Sequence, residues 1–277
     1  MRLSFVLLAG ASLFACNQPP DNVAVEAEPA AFGYDGAGYG DVQYKLAHGE
    51  RLAVVLGCQN CHGADYRGGN VTELEPSLGD IYAPNLTLLL AGYSDAELAE
   101  AIRHGKPKDG RGMIFMPSEM YRHLSDADYD ALVAHLRTLE PGGEAMPPAA
   151  PSPALFEAAA AWGILPGEDG RPYYADMRAA DLGEAHAQGR YIAETACTEC
   201  HKADLTGLPG FSPDLDIAGT YSAEEFAAML KSGKGKTKDD LGYMTWAAQG
   251  RFGELTDDEV GALHAYLLAR AEAKLAQ

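Results

Sequence analysis

The sequence predicts an all-α protein made of two tandem helical domains. Three observations carry that expectation. Within its 277 residues a pattern is written twice: YSDAELAEAIRHGK (93–106) aligns with YSAEEFAAMLKSGK (221–234), and LSDADYDALVAHLRTL (124–139) aligns with LTDDEVGALHAYLLAR (255–270). A unit repeated in the same order is one supersecondary module used twice. The repeated segments also carry helix-start chemistry, because Ser94 with Glu97, Ser222 with Glu225 and Thr256 with Glu259 form capping boxes that satisfy orphan amides. Ser125 with Asp128 is a weaker version. No long alternating pattern of the strand type occurs anywhere in the chain.

Taken in order, MRLSFVLLAGASLFAC opens with a positive Arg2, an apolar stretch too short to span a bilayer, and small residues before Cys16. Residues 1–15 are expected to be an export signal. Leu13-Phe14-Ala15-Cys16 resembles a bacterial lipoprotein signal, which implies acylation of Cys16 and accounts for the odd number of cysteines. Asn17 follows Cys16, and by resemblance to lipoprotein sorting this leans toward the outer membrane. Residues 16–40, rich in Pro, Gly, Ala and acids, read as a flexible tether carrying the lipidated Cys16. The first folded domain is expected over 41–140, a linker over 141–180 and the second domain over 181–277.

Within each domain a helix should lead into a cysteine pair, over 46–56 and 184–196. Tyr129, Leu132, Val133, Leu136 and Leu139 form one apolar stripe, matched by Val260, Leu263 and Leu267, so both final helices face a core. In the linker, PGGEAMPPAAPSP (141–153) is a Pro- and Gly-rich break before a short helix near 154–165. Phe156 and Trp162 in that helix are expected to pack against a domain rather than bind a ligand.

Acidic residues outnumber basic ones 40 to 21, for a net charge of −19. Such a surface repels phosphate backbones, which argues against nucleic acid, and it favours encounter with a basic protein surface. GKGKT (233–237) lacks the leading glycine of a phosphate loop, since Leu230 stands there. Lys231, Lys234, Lys236 and Lys238 read as a solvated basic turn.

The chemistry lies in CQNCH (58–62) and CTECH (197–201). Two cysteines with this spacing could chelate zinc, form a redox disulfide or attach haem. Zinc ribbons place their pairs about 15–20 residues apart, and here a whole repeat intervenes. Thioredoxin-like chemistry needs a strand-helix-strand context that is not legible. The adjoining histidine points to haem attachment, with the thiols joined to the macrocycle and the imidazole lying under the iron. Cys58, Cys61 and His62 would hold one haem c, and Cys197, Cys200 and His201 a second. For the sixth coordination position, counting from the Gly-Lys pairs matches Met116 with Met244; counting back from the final helices matches Met113 with Met244. Pro117 directly after Met116 favours Met116. His104, His123, His135 and His264 are expected to be packed or surface histidines rather than ligands.

Each half resembles a class I cytochrome c domain, over 41–140 and 181–277, and the pair resembles diheme cytochromes c of bacterial electron-transfer chains. The resemblance rests on CQNCH, APNL (83–86) and FMPSEM in the first half, and on CTECH and SPDL (212–215) in the second, where Thr245 rather than proline follows Met244. It implies that the proximal imidazoles donate to the backbone carbonyls of Pro84 and Pro213. GRYIAETACTECH is further similar to cytochrome subunits that accept electrons from membrane-associated dehydrogenases. The expected function is single-electron transfer between redox proteins by a lipid-anchored periplasmic protein with no bond chemistry of its own. The alternatives are a diheme redox enzyme, such as a peroxidase or sulfur-compound oxidase, and a fixed subunit of a dehydrogenase or oxidase complex.

Overall fold

The computed structural model describes residues 32–38, 40–110, 113, 115–165 and 172–276. The export signal and Cys16 lie outside the described residues. Helix α1 (Val42–Val55) begins four residues before its expected start, because the Asp41 carboxylate accepts from the amides of Gln43 and Tyr44 and caps it there. The first copy continues with α2 (Cys58–His62), α3 (Leu86–Leu89), α4 (Asp95–His104), α5 (Ser118–Tyr121) and α6 (Asp126–Leu136). After α7 (Pro153–Trp162), the second copy supplies α8 (Ala187–Ala196), α9 (Thr198–His201), α10 (Ala223–Ser232), α11 (Tyr243–Gly250) and α12 (Asp257–Leu275). Strand content is slight: Gly69–Asn70 pairs with Tyr82–Ala83, and Gly79–Asp80 pairs with Ala150–Pro151, both antiparallel. Among the described residues no helix is long and apolar enough to cross a membrane.

In each copy the entry helix crosses the final helix at a glycine. A Cβ on Gly49 would stand 2.0 Å from the Ala131 carbonyl oxygen, and one on Gly189 would stand 2.1 Å from that of Ala262. Those distances are far inside van der Waals contact, so α1 with α6 and α8 with α12 can approach this closely only where a side chain is missing. The three full capping boxes form as expected, at Ser94, Ser222 and Thr256.

The tether assignment to residue 40 is corrected by the structure. Tyr34 is 1% exposed and lies in the seam between the two copies. Its amide donates to Asp128 at 2.9 Å, and its hydroxyl shares a hydrogen bond with Thr195 at 2.8 Å. The next amide, that of Asp35, donates to Glu259 at 2.8 Å. A segment without periodicity is therefore fixed by long-range contacts that composition does not encode.

Asp128 and Glu259 sit at the same position in their copies, three residues past Ser125 and Thr256, and each reaches across the seam. Tyr191 on α8 donates its hydroxyl to Asp128 at 2.6 Å, while Arg51 on α1 grips Glu259 at 2.9 and 3.0 Å. The seam thus has an approximate two-fold logic. Because the Asp128 carboxylate is turned outward, the Ser125 amide donates to the Tyr191 hydroxyl at 3.1 Å instead, so this capping box never closes.

The linker helix buries Leu155 and Ala159. Trp162 stacks near Phe211, centroids 5.3 Å apart, as expected of a packed aromatic. Phe156 departs from expectation and is 48% exposed, at the solvent-side edge of the α7 face that buries Leu155 and Ala159.

Candidate haem-attachment sites

Both CxxCH segments fold as single helical turns, α2 and α9, so two thiols and an imidazole emerge from one turn in each copy. Cys58 belongs to the apolar core, and Cys197 is packed against it. Burial pushes all four thiols up to about 12, so each remains protonated at neutral pH. An attacking redox dithiol needs the thiolate. No described cysteine is in a disulfide, and among the described residues no group of three or more His, Cys, Asp or Glu is arranged to hold a metal ion.

The imidazoles are oriented alike. His62 Nδ1 lies 2.8 Å from the Pro84 carbonyl oxygen, and His201 Nδ1 lies 2.8 Å from that of Pro213. A carbonyl only accepts, so Nδ1 carries the proton and Nε2 is the nitrogen with a lone pair to give to a metal. Burial also holds the His201 pKa below its ordinary value, against the opposing effects of Pro213 and Asp214, which keeps that ring neutral. A neutral ring tied through Nδ1 beside two protonated thiols fits a covalently attached haem.

The residue after each proline anchors its loop by different chemistry. In the first copy Asn85, 3% exposed, donates to the carbonyls of Gly142 and Glu144 at 2.8 and 3.1 Å, folding the start of the linker over the loop. In the second, Asp214 accepts from Arg270 and Lys274 of α12, each at 2.7 Å. Partial burial alone would raise the Asp214 pKa, but bonds from Lys274 and Arg270 win and hold it at about 2, below its ordinary 3.8. A depressed carboxylate contributes stability above its unfolded pKa and loses it as pH falls through the folded one. Asp214→Asn should therefore destabilise the protein at neutral pH and remove the part of its acid-induced loss that falls between pH 3.8 and about 2. Acid unfolding followed by circular dichroism measures both effects.

Met116 and Met244 each pack, half-buried, against the core. Met113 is also half-buried. The set-aside histidines are engaged elsewhere or exposed: His135 with the Tyr66 hydroxyl at 3.3 Å, His264 with the Tyr221 carbonyl at 3.0 Å, His123 accepting from Arg122 at 3.0 Å, and His104 at the surface. The basic turn is compensated locally, with Lys231, Lys234 and Lys236 paired to Asp257, Asp239 and Glu225. One group escaped sequence reasoning altogether: Arg251, which the fold inserts between α2 and α9. No local pattern marks it, since the hydrogen-bond partners of its side chain lie 52, 55 and 196 residues away.

Comparison with known proteins agrees with this geometry. Over 97 residues, 33% of this chain and 20% of the relative, the sequence is 34% identical to the cytochrome c subunit of alcohol dehydrogenase (quinone) from Gluconacetobacter polyoxogenes, with the same figures for that of Komagataeibacter europaeus. Over 263 residues, 80% of this chain and 58% of the relative, it is 25% identical to the gluconate 2-dehydrogenase cytochrome c subunit of Pantoea cypripedii. The matched chain thus spans a fifth of the first two relatives and little more than half of the third. The family model for cytochrome c matches residues 46–140 and again 186–270, and each match contains one CxxCH turn with its proline-bound histidine. With two such matches covering most of its length, this chain belongs to the cytochrome c family.

Proposed function

We propose that the chain is a diheme cytochrome c that passes single electrons between redox proteins, held by a lipid on Cys16 at the periplasmic face of a bacterial membrane. The observation that carries this reading is the twofold occurrence of one turn bearing two thiols and a histidine whose Nδ1 is fixed by a proline carbonyl at 2.8 Å. Cys58, Cys61 and His62 would hold the first haem with Met116 as the second axial ligand; Cys197, Cys200, His201 and Met244 would hold the other. Haem iron at such a site supplies reversible one-electron exchange. The protein's own part is to fix the imidazoles, exclude water from the thiol side and keep both sites in one connected core. The net charge of −19 suits partners with basic docking surfaces.

A second reading, a fixed cytochrome subunit of a membrane-associated dehydrogenase, draws support from the names of all three relatives. Co-purification of a dehydrogenase from detergent extracts separates that subunit from a free carrier.

Intact-mass measurement and a haem spectrum of the purified protein test the main proposal. Two covalently bound haems per chain are expected, and four unmodified sulfurs at 58, 61, 197 and 200 would defeat it. Cys16→Ala should move the cytochrome from the membrane to the soluble periplasmic fraction; unchanged membrane association would rule out the lipid anchor.

A further inference from the structure

Arg251 is bonded to the entry turns of both attachment sites. Its Nε donates to the Val55 carbonyl at 3.0 Å, three residues ahead of Cys58, and its Nη2 donates to the Ala196 carbonyl at 3.3 Å, directly ahead of Cys197. Nη1 donates to Glu199 at 2.9 Å, inside the second CxxCH itself. From the other side the Tyr121 hydroxyl donates to the Leu56 carbonyl at 3.0 Å. The place is built for close approach: Gly57 has φ 76°, and a Cβ there would stand 3.0 Å from the guanidinium carbon.

A guanidinium cannot discard its charge, and this one is only 4% exposed. Its counter-ion Glu199 has a side chain 31% exposed, so water screens the carboxylate more than the cation. An unequally screened pair does not cancel, so the cation and its counter-ion act on their surroundings with opposite sign. The cation stands against both entry turns, at the carbonyls of Val55 and Ala196 and beside Gly57.

We infer that Arg251 is a shared electrostatic regulator of the two haems, a single buried cation that favours the ferrous state at both irons and is opposed by Glu199. The inference rests on the reading that both turns carry haem. Reduction adds one electron and lowers the iron's charge by one, so a fixed cation stabilises the reduced form more than the oxidised form. A unit charge about 10 Å from a redox centre, at an effective dielectric constant near 20, alters its equilibrium by about tenfold or somewhat more.

The two members of the pair must then act with opposite sign. In absorbance-monitored redox titrations of the full-length holoprotein, Arg251→Gln should make both haems harder to reduce, by about tenfold in each equilibrium constant. Glu199→Gln should make both easier to reduce, the second haem more strongly, and Arg251→Lys should stay near wild type. A residue serving only as a strut would not give paired shifts of opposite sign. The inference is overturned if Arg251→Gln moves one haem or neither, or if the two charge-removing variants shift in the same direction. Should Arg251→Gln fail to fold, Glu199→Gln at the rim decides: no shift toward easier reduction overturns the inference. A haem count on every sample separates these failures from a chain with fewer than two haems, which would overturn the attachment reading and this inference together.

Discussion

Asp128→Ala is expected to cost about 3–5 kcal/mol of folding stability, the range for removing one partner from a buried charged network. Asp128 is fully buried and accepts three hydrogen bonds: the Tyr34 amide at 2.9 Å, the Tyr191 hydroxyl at 2.6 Å and His48 Nε2 at 2.6 Å. Those donors come from three parts of the chain, and none can turn to water once the acceptor is gone. Asp128→Asn should fall between alanine and wild type, because both carboxylate oxygens face donors and one of them becomes an amide nitrogen. Exposed Asp130 on the same helix supplies the control, with a change of no more than about 0.5 kcal/mol on conversion to alanine. Denaturant unfolding of the four proteins measures the difference, and equal midpoints for Asp128→Ala and Asp130→Ala would refute the account of the seam.

The seam also marks where sequence reading stopped. Capping boxes and apolar stripes are local, spanning three or four residues, and both copies were legible from them down to the caps at Ser94, Ser222 and Thr256. The contacts that join the copies are not local: Tyr34 and Asp128 are 94 residues apart, Arg51 and Glu259 are 208 apart. Asp128 looked like a poor capping residue because a sequence cannot distinguish a carboxylate turned back to its own helix from one turned toward another domain. One signal was available. The other three boxes use glutamate at this position, and the shorter aspartate marked the copy whose carboxylate has a different task. For Tyr34 the hint was weaker, an aromatic set among Pro, Gly, Ala and acidic residues that otherwise read as tether.

The candidate site was more legible, since the thiols and the imidazole share one turn and Pro213 follows His201 by only twelve residues. The methionine register was not. Counting from opposite ends of the repeat gives Met116 or Met113 as the mate of Met244, and the structure shows why the counts disagree. Met244 lies inside the eight-residue α11, whereas Met116 precedes the single turn of α5. The two copies fold the chain before their final helices differently, so no single offset can align it from both ends.

That difference makes the first copy the place to test axial ligation. Met116→His is expected to lower the reduction potential of the first haem by on the order of 0.1 V or more, within the ~0.8 V range that axial ligands command. A thioether favours the ferrous state more than an imidazole does, so the direction follows from the chemistry of the ligand. The position favours Met116 on structural grounds: it packs against the core, and its carbonyl accepts from the Ser118 amide at 2.8 Å as the chain turns at Pro117. Met113→His should leave both potentials near wild type. Redox titration of the two variants decides the matter, because a fall in potential with Met113→His and none with Met116→His would transfer the ligand to Met113. On the proposed reading the second haem serves as an internal reference, since Met244 is unchanged in both proteins.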